Sequence, residues 1–379
     1  MERLCACVVQ LARILDADPL LCEFGYVDAL DEGVAQGRCA DAFVHDAHEH
    51  TLAVRAAWLP HVMGAAATAL TATRHNNSAS SGKEALDCAS RAVALLCGEC
   101  ITAWNARRTL APALDPAREL ALCGLALSRQ PKCGPTWQYR AWLLARHPRL
   151  LAAPADLARE HALVDAAAVR YPRNYAAWTH RLWLLARARA VLAPADAALV
   201  WHREHAQSTE HCRRHVSDAS AFHYRRVLLA CAPPRAVSAR AACCEACWAL
   251  ALARVYPGHE CLWTHCAFAI AAYRDANHRE REEHEHEEEQ DEEDEDEDED
   301  DERAEEFLCA LDETLPLMEA VDALVDAQHP APATLVRVVA LIAADTTSAA
   351  YAAQAHHAHH TLAVLSESEC ATATACATD

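Results

Sequence analysis

The stretch Tyr171-Pro172-Arg173-Asn174-Tyr175-Ala176-Ala177-Trp178-Thr179-His180-Arg181 decides how this chain folds. Pro172 ends one helix, because a proline supplies no backbone N–H to continue it. Asn174 is placed to cap the next helix by accepting from its unpaired N–H groups. Trp178 and Arg181 then fall three residues apart, on one helix face. Read in both directions from here, the same pattern recurs. Trp104-Asn105-Ala106-Arg107, Trp137-Gln138-Tyr139-Arg140, Phe222-His223-Tyr224-Arg225 and Trp263-Thr264-His265-Cys266 align with it, the aromatic starts separated by 33, 41, 44 and 41 residues. Six of the nine tryptophans occupy the motif start or the position five later, as Trp142 and Trp183 do, so the spacing is not accidental.

The flanks repeat as well. Pro131, Pro172 and Pro257 lie six residues before their aromatics, with Val216 in the fourth copy, and Asp218 stands where Asn174 caps. Leu144, Leu185 and Leu229 extend the apolar stripe seven residues after the aromatic, and an amphipathic segment precedes each turn. One repeat is therefore a helical hairpin. Such a hairpin cannot bury its apolar face alone and must stack on neighbours. The expected fold class is all-α, a superhelical crescent of stacked hairpins over residues 86–276.

Outside the repeats the reading is coarser. Residues 1–85 are expected to be helical, notably 1–16 and 51–73, with 31–50 irregular and 76–83 a linker. Residues 280–306 carry 21 acidic side chains against Arg281 and Arg303, so nearly all of the net charge of −21 sits there. Like charges repel and cannot be buried, so 277–306 reads as a disordered acidic insertion. Closing helices are expected within 307–365, at 307–327 and 333–350, and a disordered tail over 366–379.

The near-neutral remainder offers no basic footprint for nucleic acid. The first fifteen residues carry Glu2, Arg3 and Arg13 and do not read as a secretory signal, and no run of about 20 apolar residues suggests a bilayer span. Nineteen cysteines scattered singly among alanines fit small thiols in a reducing compartment, so a cytoplasmic protein is expected. Cys97-Gly98-Glu99-Cys100 and Cys244-Glu245-Ala246-Cys247 are each half of a zinc pattern, but neither has a second half beside it, and no metal is assigned to this chain. The His356–His360 cluster reads as an adventitious metal binder. Cys376-Ala377-Thr378-Asp379 fits a prenylation box badly.

Trp-x-x-Arg at this spacing, preceded by Pro-x-Asn-Tyr, resembles the protein prenyltransferase alpha-subunit repeat. The strings at 171–185, 215–229 and 256–265 are similar to the branch of that family found in the third geranylgeranyltransferase. The resemblance implies one subunit of a heterodimeric enzyme that moves a C20 isoprenoid to a C-terminal cysteine of a trafficking protein. It implies a beta-subunit partner, that of Rab geranylgeranyltransferase, carrying the zinc and the geranylgeranyl diphosphate, with no cofactor in this chain. Family members place a lysine five residues before the motif Trp near the diphosphate, with a tyrosine two positions later; Arg173 and Tyr175 stand at those places here. Trp104, Arg107, Trp137, Arg140, Trp178, Arg181, Phe222, Arg225 and Trp263 read as scaffold. Each arginine is expected to stack on the ring before it, worth about 0.5–2 kcal/mol when desolvated, and to satisfy carbonyls of the hairpin turn. Cys266 departs from arginine, as a terminal repeat can. The rival class is a tetratricopeptide-like adaptor, but the Trp-Leu-Gly-Tyr consensus and the 34-residue period of that class are absent.

Overall fold

Helix starts in this chain are set by prolines and caps. Asp115 accepts from Ala117 N and Pro116 opens the helix behind it; Asp218 accepts from Ser220 N and Ala221 N, and Ser238 from Ala241 N. Each spares a terminal N–H that would otherwise lack a partner. The computed structural model describes residues 5–28, 42–74, 80–152, 154–232 and 238–291. Among these it contains twelve α-helices. They are α1 (Ala6–Ala17), α2 (Leu59–Arg74), α3 (Ser80–Leu96), α4 (Ile101–Leu110), α5 (Pro116–Arg129) and α6 (Gly134–Arg146), followed by α7 (Pro154–Arg170), α8 (Tyr175–Val191), α9 (Pro194–Arg214), α10 (Ala219–Ala230), α11 (Ala239–Val255) and α12 (Glu260–Asp291). The chain divides into two units between Arg181 and Leu182, inside α8.

In the first unit α3 pairs with α4 and α5 with α6, each pair joined by a short turn. Its core gathers Leu11, Val62, Leu86, Leu95, Trp104, Leu122, Leu125 and Tyr139, with a satellite of Leu127, Trp137, Val164 and Ala177. In the second unit α9 pairs with α10 and α11 with α12. Phe222, Tyr224, Leu228, Leu250, Leu262 and Trp263 are buried there. The all-helical repeat class holds.

Three expectations change. Residues 51–55 are not helical: Thr51–Arg55 forms β3, the centre of a small sheet with β1 (Glu23–Val27) parallel to it and β2 (Phe43–Asp46) antiparallel. Leu52 and Val54 alternate inward, a period of two. A helix from 51 would also have put Pro60 deep in its interior, where its ring clashes with the preceding turn. The helix instead begins at Leu59, which puts Pro60 in its first turn. The sheet rests on α5, where Ser128 Oγ accepts from Phe24 N at 2.9 Å and Arg129 lies 4.5 Å over the Tyr26 ring. Second, the supposed linker is shorter, because α3 already begins at Ser80. Third, α12 continues through Asp291, so the acidic run is helical over its first part. Glutamate is a good helix former, and a helix begun in the packed repeat can be propagated at little cost once nucleated. The remainder of that run, the proposed closing helices, the histidine cluster and the C-terminal cysteine all lie outside the described residues.

Candidate functional site

Every motif aromatic is buried, and the indoles have a specific job. Trp104, Trp137 and Trp263 each donate from Nε1 to the carbonyl six residues earlier, at Gly98 (2.7 Å), Pro131 (2.9 Å) and Pro257 (2.8 Å). The indole thus satisfies an orphan carbonyl of the turn and fixes the angle between the two helices of a hairpin. That same carbonyl also receives the next repeat. Asn174 Nδ2 donates to Pro131 O at 2.7 Å while its Oδ1 caps Ala177 N, and the Cys261 thiol reaches Val216 O at 3.1 Å. Trp178 is 3% exposed and Phe222 fully buried.

The arginines do something different from the sequence expectation. Arg107, Arg140 and Arg225 each form a two-pronged pair with a buried glutamate of the following hairpin. Their Nε atoms lie 3.0, 2.7 and 2.6 Å from carboxylate oxygens of Glu119, Glu160 and Glu245, and a terminal guanidinium nitrogen meets the other oxygen. Each arginine also donates to a helix carbonyl twenty residues earlier, at Asp87, Leu120 and His205. Arg181 pairs with Asp165 and lies 5.5 Å over the Trp178 ring, whereas Arg225 lies over Trp248 of α11. Stacking on the preceding ring is therefore realised at Arg181, and turn carbonyls are served by the tryptophans. The reason is geometric: a planar guanidinium can satisfy both oxygens of a buried carboxylate at once, which no turn carbonyl matches.

Each of these glutamates has a second partner from its own hairpin, and Glu204 of α9 has a partner of the same kind. Tyr139 Oη donates to Glu119 at 2.8 Å, His180 Nε2 meets Glu160 at 3.3 Å, Tyr224 bonds Glu204, and His265 Nε2 meets Glu245 at 2.7 Å. Position +2 of the motif and position +3 of the preceding one thus share a carboxylate at Glu119, Glu160 and Glu245. These four glutamates were not picked out from sequence, yet a signal exists. Glu119, Glu160, Glu204 and Glu245 each precede their motif aromatic by the same 18 residues. Burial alone would raise the Glu160 carboxyl, but Arg140 and the His180 hydrogen bond outweigh it and hold it at about 2. Burial lowers His180 and His265 below the ordinary imidazole value, so at neutral pH each is neutral and donates from Nε2. Cys266, where the fifth motif lacks arginine, is a buried thiol raised by desolvation.

Against this buried scaffold, the two residues with expected chemistry stand apart. Arg173 sits in the turn before α8 with φ of 58°, the left-handed region that a residue with a Cβ enters at a cost. It is exposed, and its guanidinium pairs with no carboxylate among the described residues. Tyr175, the first residue of α8, is 67% exposed. Beside them, Lys132 of the preceding turn places its ammonium 5.7 Å from the Tyr171 ring. Lys132 lies five residues before Trp137, as Arg173 does before Trp178. The turns before α6 and α8 thus each carry an exposed cation, Lys132 and Arg173, and Tyr171 and Tyr175, both exposed, flank Arg173 in sequence.

The protein prenyltransferase alpha subunit repeat matches residues 116–147, 157–188 and 201–232. The chain carries three copies of that repeat, which indicate a prenyltransferase alpha subunit and imply a beta-subunit partner. No curated protein matches the chain. The motifs at Trp104 and Trp263 lie outside the matched segments but reproduce the indole-to-turn bond of Trp137. No helix among the described residues is long and apolar enough to cross a membrane.

Proposed function

We propose that this chain, with its prenyltransferase alpha-subunit repeats, is the alpha subunit of a cytoplasmic heterodimeric protein geranylgeranyltransferase. Its partner is a zinc-bearing beta subunit, that of Rab geranylgeranyltransferase, which binds the geranylgeranyl diphosphate. The reaction joins C1 of the isoprenoid to the sulfur of a C-terminal cysteine on a trafficking protein and releases diphosphate. The observation that carries this reading is the Pro172-Arg173-Asn174-Tyr175 turn. There a cation with no carboxylate partner among the described residues is held in a costly backbone conformation, while the motif arginines Arg107, Arg140, Arg181 and Arg225 are buried and paired.

In this account Arg173 faces the departing diphosphate and stabilises the charge that accumulates as the C–O bond breaks, while the Tyr175 hydroxyl donates to an oxygen of the same group. A fixed donor aimed at developing charge needs no reorganisation at the moment of reaction. Arginine offers a fork of donors where relatives present a single ammonium, so the diphosphate is gripped in a plane rather than at a point. The buried Arg–Glu relay takes no part in chemistry; it holds successive turns in register.

Co-expression with the beta subunit tests the pairing. The two chains should co-purify at one to one, and neither Arg173→Ala nor Tyr175→Phe should reduce the yield of heterodimer, because both residues are exposed. Failure to co-purify with any prenyltransferase beta subunit would favour an adaptor.

A further inference from the structure

Among the described residues, neither Cys-x-x-Cys pair that stands out in the sequence belongs to a group of three metal ligands, but two cysteines at the start of the first helix do. We propose that Cys5, Cys7 and His61 form a binding site for a zinc-class cation at the N-terminal edge of the first unit. Their ligand atoms all lie within 4.8 Å of one another. Residues two apart do not normally share a helix face. Cys5 escapes that rule because it is the cap of α1, with extended backbone at φ −61° and ψ 140°, so its side chain folds back over the first turn. Its Sγ comes to 3.2 Å from that of Cys7 and 3.6 Å from His61 Nε2.

His61 arrives from the first turn of α2 and lies edge-on to Trp58, with centroids 5.5 Å apart at 80°. Packing around Cys7, Val8, Trp58 and Val62, all buried, fixes the two helices against each other. The donor chemistry is selective. Two thiolates and an imidazole suit a soft-to-borderline cation and disfavour calcium or magnesium. With zinc bonds of about 2.3 Å to sulfur and 2.0 Å to nitrogen, a tetrahedral site needs S···N edges near 3.5 Å, which Cys5 and His61 already meet. The sulfurs must open by about half an ångström, a small rotation of Cys5 about χ1.

Binding displaces two thiol protons and gives a neutral site, two thiolates against a divalent charge. The positive N-terminus of α1, which has no acidic residue in its first turn, favours those thiolates further. Cys7 is buried while His61 is exposed, so the fourth coordination place opens toward solvent and is filled by water or an incoming donor. The ion then clamps α1 to α2 beside the first repeat.

The test uses the full chain, stripped of metal and kept reduced with a phosphine, titrated with Co²⁺ and then Zn²⁺. The expected result is one equivalent giving the near-ultraviolet thiolate-to-cobalt absorption and tetrahedral visible bands, displaced stoichiometrically by Zn²⁺. His61→Gln and Cys5→Ser, both at the open side, should keep the parent's helicity and lower that equivalent's affinity by on the order of a hundredfold or more. Cys7→Ala should do the same where it folds. The proposal is overturned by unchanged binding in His61→Gln and Cys5→Ser, by octahedral cobalt bands, or by a Cys5–Cys7 disulfide that persists in reduced glutathione.

Discussion

At Arg173 a strained backbone and an exposed cation coincide. At φ of 58° it occupies a conformation that a glycine would adopt without strain. Arg173→Gly should therefore raise the stability of the chain by about 0.5–1 kcal/mol, seen as a higher urea midpoint, while lowering single-turnover transfer by roughly 10–1000-fold. Arg173→Ala should show the same loss of rate without the gain in stability. A glycine variant that is stabilised and fully active would reduce the residue to an accident of the turn. The places of Arg173 and Tyr175 at the start of α8 could be read from the sequence because the motif fixes them relative to Trp178. The strain at Arg173 could not, since nothing in a residue's identity announces a positive φ. The buried glutamates were hidden for another reason: single acidic residues on amphipathic helices usually face water, and only their fixed offset from the aromatics sets these apart.

At the scale of the element, the seam between hairpins is held by carboxylates shared between Arg and a Tyr or His. Glu160 is 4% exposed and binds both Arg140 and His180. Arg140→Leu should cost about 3–5 kcal/mol by leaving that carboxylate buried and unpaired, whereas Arg140→Leu with Glu160→Leu should cost much less. Equal losses in the single and double variants, measured by urea unfolding, would show that the pair does not act as a unit. The same seam sets the response to pH. His180 and His265 are held below their ordinary 6.5, and Glu160 sits at about 2 against an ordinary 4.5. All three bind fewer protons folded than unfolded, so stability should fall as pH drops, first below about 6.5 and more steeply from about 4.5 toward 2. A urea midpoint that stays flat from pH 8 to pH 4 would contradict this. The helical hairpins were legible in the sequence because aromatic, proline and cap recur together. The strand at Thr51–Arg55 was not, because a five-residue apolar alternation next to a helix reads as the start of that helix. Pro60 was the clue that placed the boundary.

At the scale of the whole molecule, the described part of the repeats is a scaffold in which motif aromatics, arginines and glutamates are buried against one another. Most motif polar groups are paired with one another, and Lys132 and Arg173 are exposed in the turns before α6 and α8. The proposal that a partner supplies the zinc and the diphosphate site is tested by activity. The most direct measurement is single-turnover transfer of geranylgeranyl from its diphosphate to a cysteine-terminated acceptor protein. It would compare the beta subunit alone, this chain alone, and the purified pair, under conditions where product release cannot limit the signal. The account predicts transfer by the pair and none by either chain alone. Equal rates for the beta subunit with and without this chain, or no transfer by a well-formed pair, would contradict it.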